Sequence, residues 1–156
     1  LILVMAFAGL RISEACGLKA NNLTPEAIAL RFMGKGSKER IVHIPAPLFA
    51  LLRDHAQGKA TGSYLFPGRG KRKAVSRFTV SHQMAFLGEM AGIKDLHPHR
   101  LRHFFATWLY ALTNDPFRVA REMGHANVQT TFGYAGLVEP PPHIKRMEDL
   151  MKEVLG

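Results

Sequence analysis

A chain of 156 residues, 47% hydrophobic and 21% charged, is long enough and apolar enough to bury one globular core, which excludes a scaffold that depends on disulfides. Its 21 Lys and Arg against 12 Asp and Glu give a formal charge of +9, a balance that favours a polyanionic partner, nucleic acid before anionic membrane. The single cysteine, Cys16, excludes an internal disulfide and fits a reducing compartment such as the cytoplasm.

The chain opens on Leu1-Ile2-Leu3-Val4-Met5-Ala6-Phe7-Ala8, a run too short to span a bilayer and without the charged start of a signal peptide. It reads as a buried helix, and the missing initiator methionine as the cut edge of a longer protein. Gly9-Leu10-Arg11 makes a tight corner, and Ser13 is the expected N-cap of a second helix to about Leu18, with Glu14 in its first turn. Residues 27–33 alternate as a strand, residues 41–44 supply its partner, and the polar stretch from Gly34 to Glu39 turns the hairpin. Pro47 leads into a helix with Leu48, Leu51 and Leu52 at helical spacing, followed by a basic, glycine-rich loop over residues 58–74.

A helix over residues 76–91 carries Phe78, Val80, Met84, Phe86 and Leu87 as its apolar positions. The next starts at Pro98, which suits a first helical position, and presents Leu101, Phe104, Phe105, Trp108, Leu109 and Leu112 to a core. Shorter helices are expected over residues 116–123 and 127–134. The prolines at 140–142 mark a linker, and Ile144, Met147, Met151 and Val154 share one face of a final helix. The fold class expected is mainly α with a small antiparallel β-hairpin. Residues 1–139 form the main domain, and residues 140–156 form the linker and tail helix.

Several basic blocks and one tyrosine carry the chemistry. His99 and Arg102 in His99-Arg100-Leu101-Arg102-His103 are three apart and face one side of a helix, with Cβ atoms about 5–6 Å apart. They lie where the helix N-terminus attracts an anion. Taken alone, they read more readily as a surface arginine and a histidine meeting a core polar group. His97, His99 and His103 invite a metal, but no glutamate follows His99 in a zinc-protease pattern and no cysteine pair exists. Arg11, held in a corner, can offer a planar fork to a phosphate with Glu14 orienting it, or the two can form only a corner salt bridge. Lys35 sits at a hairpin tip with Lys38 and Arg40 close by; the stretch fails the phosphate-loop spacing of nucleotide-binding proteins. Arg69, Lys71, Arg72, Lys73 and Arg77, with Lys38 and Arg40, are candidate grips on duplex phosphates. Tyr134 follows Gly124-His125 downstream and is flanked by Gly133 and Gly136, which loosen the chain around it. A tyrosine hydroxyl is a weak nucleophile unless cations surround the electrophile it attacks. Such cations are what these blocks supply.

The ordered set Ala8-Gly9-Leu10-Arg11-Ile12-Ser13-Glu14, Gly34-Lys35-Gly36-Ser37-Lys38-Glu39-Arg40, His99-Arg100-Leu101-Arg102-His103, Met123-Gly124-His125 and Tyr134 resembles the catalytic domain of the tyrosine recombinase (phage integrase) family, in particular its Xer-like members. The resemblance covers nearly the whole chain. It implies a mainly helical catalytic domain with a small sheet, and site-specific cutting and rejoining of DNA without cofactor or metal. By resemblance Arg11 and Arg102 are the catalytic arginines, His99 the histidine between them, Lys35 the hairpin lysine, His125 the second histidine and Tyr134 the nucleophile. Glu14 takes a supporting acidic position. It further implies double-stranded DNA as partner, self-association as a tetramer on DNA, a tail helix that packs on a neighbouring protomer, and an N-terminal DNA-clamping domain outside this chain. His97 departs from the Ser or Thr usual before the helix, Met123 from the usual leucine, and Ala135-Gly136 from the usual Thr-His. Two other readings of the same residues are a type IB topoisomerase and a DNA-binding remnant without catalysis. A metal- or histidine-dependent phosphohydrolase fits less well.

Overall fold

The computed structural model describes residues 1–33, 39–70, 73–124 and 146–155. The opening helix α1 (Ile2–Ala8) is apolar on every side because it runs through the middle of the protein. Val4, Met5, Ala6, Phe7 and Ala8 are all buried. Its main neighbour is α5 (Pro98–Thr113), with α3 (Ala46–Ala56) also packed against it. Gly9 ends α1 at φ 60, and a Cβ added there would stand 2.3 Å from Cδ1 of Phe105 on α5. The corner therefore needs glycine for its left-handed backbone and for the close approach of the two helices.

The chain turns at this corner into α2 (Ile12–Cys16), whose N-cap is Arg11 rather than the expected Ser13. Glu14 explains the shift: Oε2 accepts the backbone N–H of Arg11 at 2.7 Å, so the cap is closed from the third helical position. A sheet of three antiparallel strands follows in the order β1 (Leu23–Thr24), β2 (Ala29–Met33), β3 (Glu39–His43). Leu30 pairs with Val42 and both are buried, while the adjoining pair Arg31 and Ile41 is exposed, the alternation of a sheet with one covered face. The strand expected from residue 27 starts at Ala29. A 3-10 turn over Pro25–Ala27 and a left-handed Ile28 (φ 48) come first.

Helix α4 (Arg77–Met90) is capped by Ser76, whose hydroxyl accepts the Thr79 N–H at 3.0 Å. Val80 and Met84 reach the core, whereas Phe78, Phe86 and Leu87, expected among the apolar positions, are exposed. On α5, Phe105 and Leu109 are buried, Leu101 and Trp108 pack against the core, and Phe104 and Leu112 are exposed. Both helices carry apolar residues around more than one face, so their periodicity alone does not select the buried one. Helix α6 (Pro116–Met123) packs on α5 and buries Val119, Ala120 and Met123.

The last described helix, α7 (Met147–Leu155), lies against α3, with Met147 and Met151 buried and Val154 exposed. Within the single chain this helix, expected on a neighbouring protomer, lies against α3. Among the described residues no helix is long and apolar enough to cross a membrane. The architecture is mainly α with one small antiparallel sheet, as the sequence predicts.

Candidate active site

The site is built around the C-terminal end of α6. Asp115 caps the other end, accepting the N–H groups of Phe117 and Arg118 on Oδ1 at 2.9 and 3.0 Å. Gly124 closes the helix in a left-handed turn at φ 60. A helix leaves its last carbonyls without intrahelical partners and gathers partial negative charge there. Three guanidiniums meet that charge on three consecutive carbonyls. Arg40 Nη2 donates to the Glu122 carbonyl at 2.7 Å, Arg102 Nη2 to that of Met123, and Arg11 Nη2 to that of Gly124 at 3.0 Å.

Each arginine arrives from a different element. Arg102 stands on α5, three positions after His99, and is 5% exposed. Its Nη1 donates to the Gly9 carbonyl at the end of α1, so the buried cation is held between the C-terminal ends of two helices. Charge-assisted bonds to such carbonyls offset the desolvation that an isolated buried cation would suffer. Arg11 comes from the corner before α2, and Arg40 from β3 opposite Phe32. Glu14 joins the last two: its Oε1 accepts Nη1 of Arg40 at 2.9 Å and Nη1 of Arg11 at 3.3 Å. The corner pair Arg11–Glu14 thus exists, as one arm of a larger network.

His99 is exposed in the first turn of α5, its ring stacked near that of His97 with centroids 6.4 Å apart and planes 6° from parallel. Arg69, Lys73 and Arg77 are exposed, the last opening α4. Lys35, Lys38, Lys71, Arg72, His125 and Tyr134 lie outside the described residues. The structure gathers Arg11, Glu14 and Arg102 at the end of α6. It adds Arg40, whose guanidinium, expected on DNA phosphates, turns inward to Glu14 and α6. No local signal in the sequence marks that role, because the partner it reaches on α6 is a backbone carbonyl. Cys16 is buried in the core, and burial pushes its thiol up from the ordinary range, against a smaller opposing effect of Arg77. Among the described residues, no group of three or more His, Cys, Asp or Glu side chains gathers closely enough to hold a metal ion.

The profile of the Phage integrase family matches residues 1–139. The protein named Tyrosine recombinase XerC from Xanthomonas axonopodis pv. citri (strain 306) is 35% identical over 140 residues, covering 88% of this chain and 46% of that protein. The Tyrosine recombinase of Pseudothermotoga lettingae is 34% identical over 140 residues, covering 87% of this chain and 48% of that one. The chain spans about half the length of the curated relatives it matches. Among solved structures, the XerH site-specific recombinase bound to its difH substrate in a pre-cleavage complex superposes with a TM-score of 0.73 at 27% identity, over 85% of this chain and 40% of that one. The XerA recombinase superposes with a TM-score of 0.72 at 27% identity, over 97% of this chain and 54% of its own.

Proposed function

The chain belongs to the phage integrase family, and from that premise we propose that it is the catalytic part of a site-specific recombinase that cuts and rejoins duplex DNA through a tyrosine. The observation that carries the proposal is the convergence of Arg11 and Arg102 on the carbonyls of Gly124 and Met123, directly before His125 in the chain. Guanidiniums anchored from behind by carbonyls have a fixed plane, the preorganisation that stabilises a charged transition state. Three of them against the single carboxylate of Glu14 leave an excess of positive charge, suited to a phosphodiester.

The reaction is a pair of transesterifications. The Tyr134 oxygen forms a bond to phosphorus as the bond to the 5′-oxygen breaks, leaving a 3′-phosphotyrosyl link and a free 5′-hydroxyl. His99 assists removal of the tyrosine proton, and Lys35 supplies the proton that the leaving oxygen takes up. Arg11, Arg102 and His125 meet charge on the nonbridging oxygens; an arginine in that role contributes about 10³–10⁵ in rate in other phosphoryl-transfer sites. A 5′-hydroxyl from a second strand then reverses the step. The bond energy stays in the protein–DNA link, so the cycle needs no nucleotide cofactor. Exchange between two duplexes requires more than one active site, which favours a tetramer on DNA. The exposed Arg69, Lys73 and Arg77, with Lys38, Lys71 and Arg72, supply charge for the DNA backbone. Residues 1–139 hold the chemistry, and the helix beyond the proline linker is an accessory to it.

The test incubates the full-length protein with a pool of nicked duplexes in excess chelator, beside Tyr134→Phe, and runs the products on a denaturing gel. A slow-migrating adduct made only by the wild type, followed by recombinant products, is expected. Supercoil relaxation without recombinants would instead identify a topoisomerase. Tight binding with no adduct would leave only a DNA-binding remnant and overturn the proposal.

A further inference from the structure

We propose that Arg40 is a positioning residue of the strand-cutting site, clasping β3, α2 and the end of α6 together, and that it is not a contact to DNA. The inference rests on the recombinase reading for its catalytic consequence but on geometry for the clasp itself. The Arg40 side chain is only 22% exposed, and both terminal nitrogens are engaged, Nη1 with Glu14 and Nη2 with the Glu122 carbonyl. A Cβ added to Gly124 would stand 2.8 Å from its Cζ, 2.9 Å from Nη1 and 3.0 Å from Nε. The guanidinium thus lies close against the bare backbone of Gly124, the residue from which the chain runs on to His125 and Tyr134. Glu14 Oε1 is shared between Arg40 and Arg11, so Arg40 also holds the carboxylate that orients Arg11. Losing the clasp releases two things at once: the Arg11 partner and the Glu122 carbonyl in the last turn of α6.

The chemistry of the clasp requires a fork. Arg40→Lys keeps the positive charge but offers one ammonium where two separated nitrogens are needed. A single-point phosphate contact, which needs only the charge, would tolerate that change, whereas a clasp through two separated nitrogens does not.

The test uses the full-length protein with Arg40→Lys and Arg40→Gln, read in three ways. Adduct formation on the nicked-duplex pool should fall about 10²-fold in both variants, the scale of an ångström-sized misplacement. The slope of log affinity against log salt for duplex binding should stay at its wild-type value in Arg40→Gln. Amide exchange in a peptide spanning Glu122 to Gly124 should quicken in both variants, with the rest of the protein unchanged. An adduct rate in Arg40→Lys equal to wild type, or a salt slope in Arg40→Gln shallower by about 0.9, the share of one phosphate, would overturn the proposal. A wild type that forms no adduct would remove the recombinase reading and with it the catalytic role. Exchange at Glu122 to Gly124 would still decide the clasp, and unchanged exchange would overturn it.

Discussion

Gly9 and Gly124 close α1 and α6 in the same left-handed turn, each at φ 60, and each supplies a carbonyl to one of the site's arginines. What surrounds them differs. A Cβ at Gly9 meets the Phe105 ring at 2.3 Å, inside a core that cannot open without moving α5. A Cβ at Gly124 meets the end of the Arg40 side chain at 2.8 Å, which can swing toward solvent only by giving up its bonds to Glu14 and the Glu122 carbonyl. The left-handed strain of about 1–2 kcal/mol is common to both alanine variants, and overpacking of about 1–3 kcal/mol falls on the first. Gly9→Ala is therefore expected to lower stability toward urea by more than Gly124→Ala. Equal losses would show that Phe105 gives way. At this scale the sequence marks Gly9 as a corner, while Arg11 and Arg102 stand out only through their order in the set of motifs. The half-buried salt link between Arg40 and Glu14 does not stand out, since a strand arginine beside a charged turn has the same appearance on a solvated surface.

Helix α6 shows how an element positions a site. Asp115 accepts two N–H groups at its start, and three arginines take the carbonyls at its finish, so both ends are closed within eight residues. Removing one cap should transmit to the other, because a helix this short has little propagation to absorb fraying. Asp115→Ala is expected to cost about 1 kcal/mol, or about 2–4 °C in Tm for a chain of this size. Scanning calorimetry reads the shift directly, and a Tm equal to wild type would mean that the arginines alone hold the helix. Helix starts and stops are local signals, so Pro98, Pro116 and Gly124 mark boundaries from the sequence. The two-residue strand β1 leaves no periodicity to read. The exposed Phe78 and Phe86 lie on a helix whose buried face is chosen by the neighbours of Val80 and Met84.

For the whole molecule, the position of α7 is the arrangement most open to test in solution. Met151 is fully buried where α7 meets α3, and truncating such a methionine costs about 2–5 kcal/mol. Met151→Ala should show that loss in urea unfolding, by the same amount at every protein concentration, because helix and groove belong to one chain. A loss that grows or shrinks with concentration would place the helix on a second copy instead. The +9 charge acts at the same scale, drawing polyanions to the surface without specifying where they are cut.

Elements with a strong local pattern, the residue types of the reaction and their order along the chain belong to the sequence by itself. Helix periodicity, capping and turn chemistry are all encoded within a few residues, and the basic blocks beside Tyr134 are visible as text. The tertiary structure alone decided that Arg40, Arg102 and Arg11 meet at one helix end, across separations of 82, 21 and 113 residues. It also set α7 against α3 within the chain. The reason is physical: the groups these arginines grip are backbone carbonyls, present at every residue and spelled by none, and only the packing of α1, α5 and α6 brings the right ones within hydrogen-bond reach.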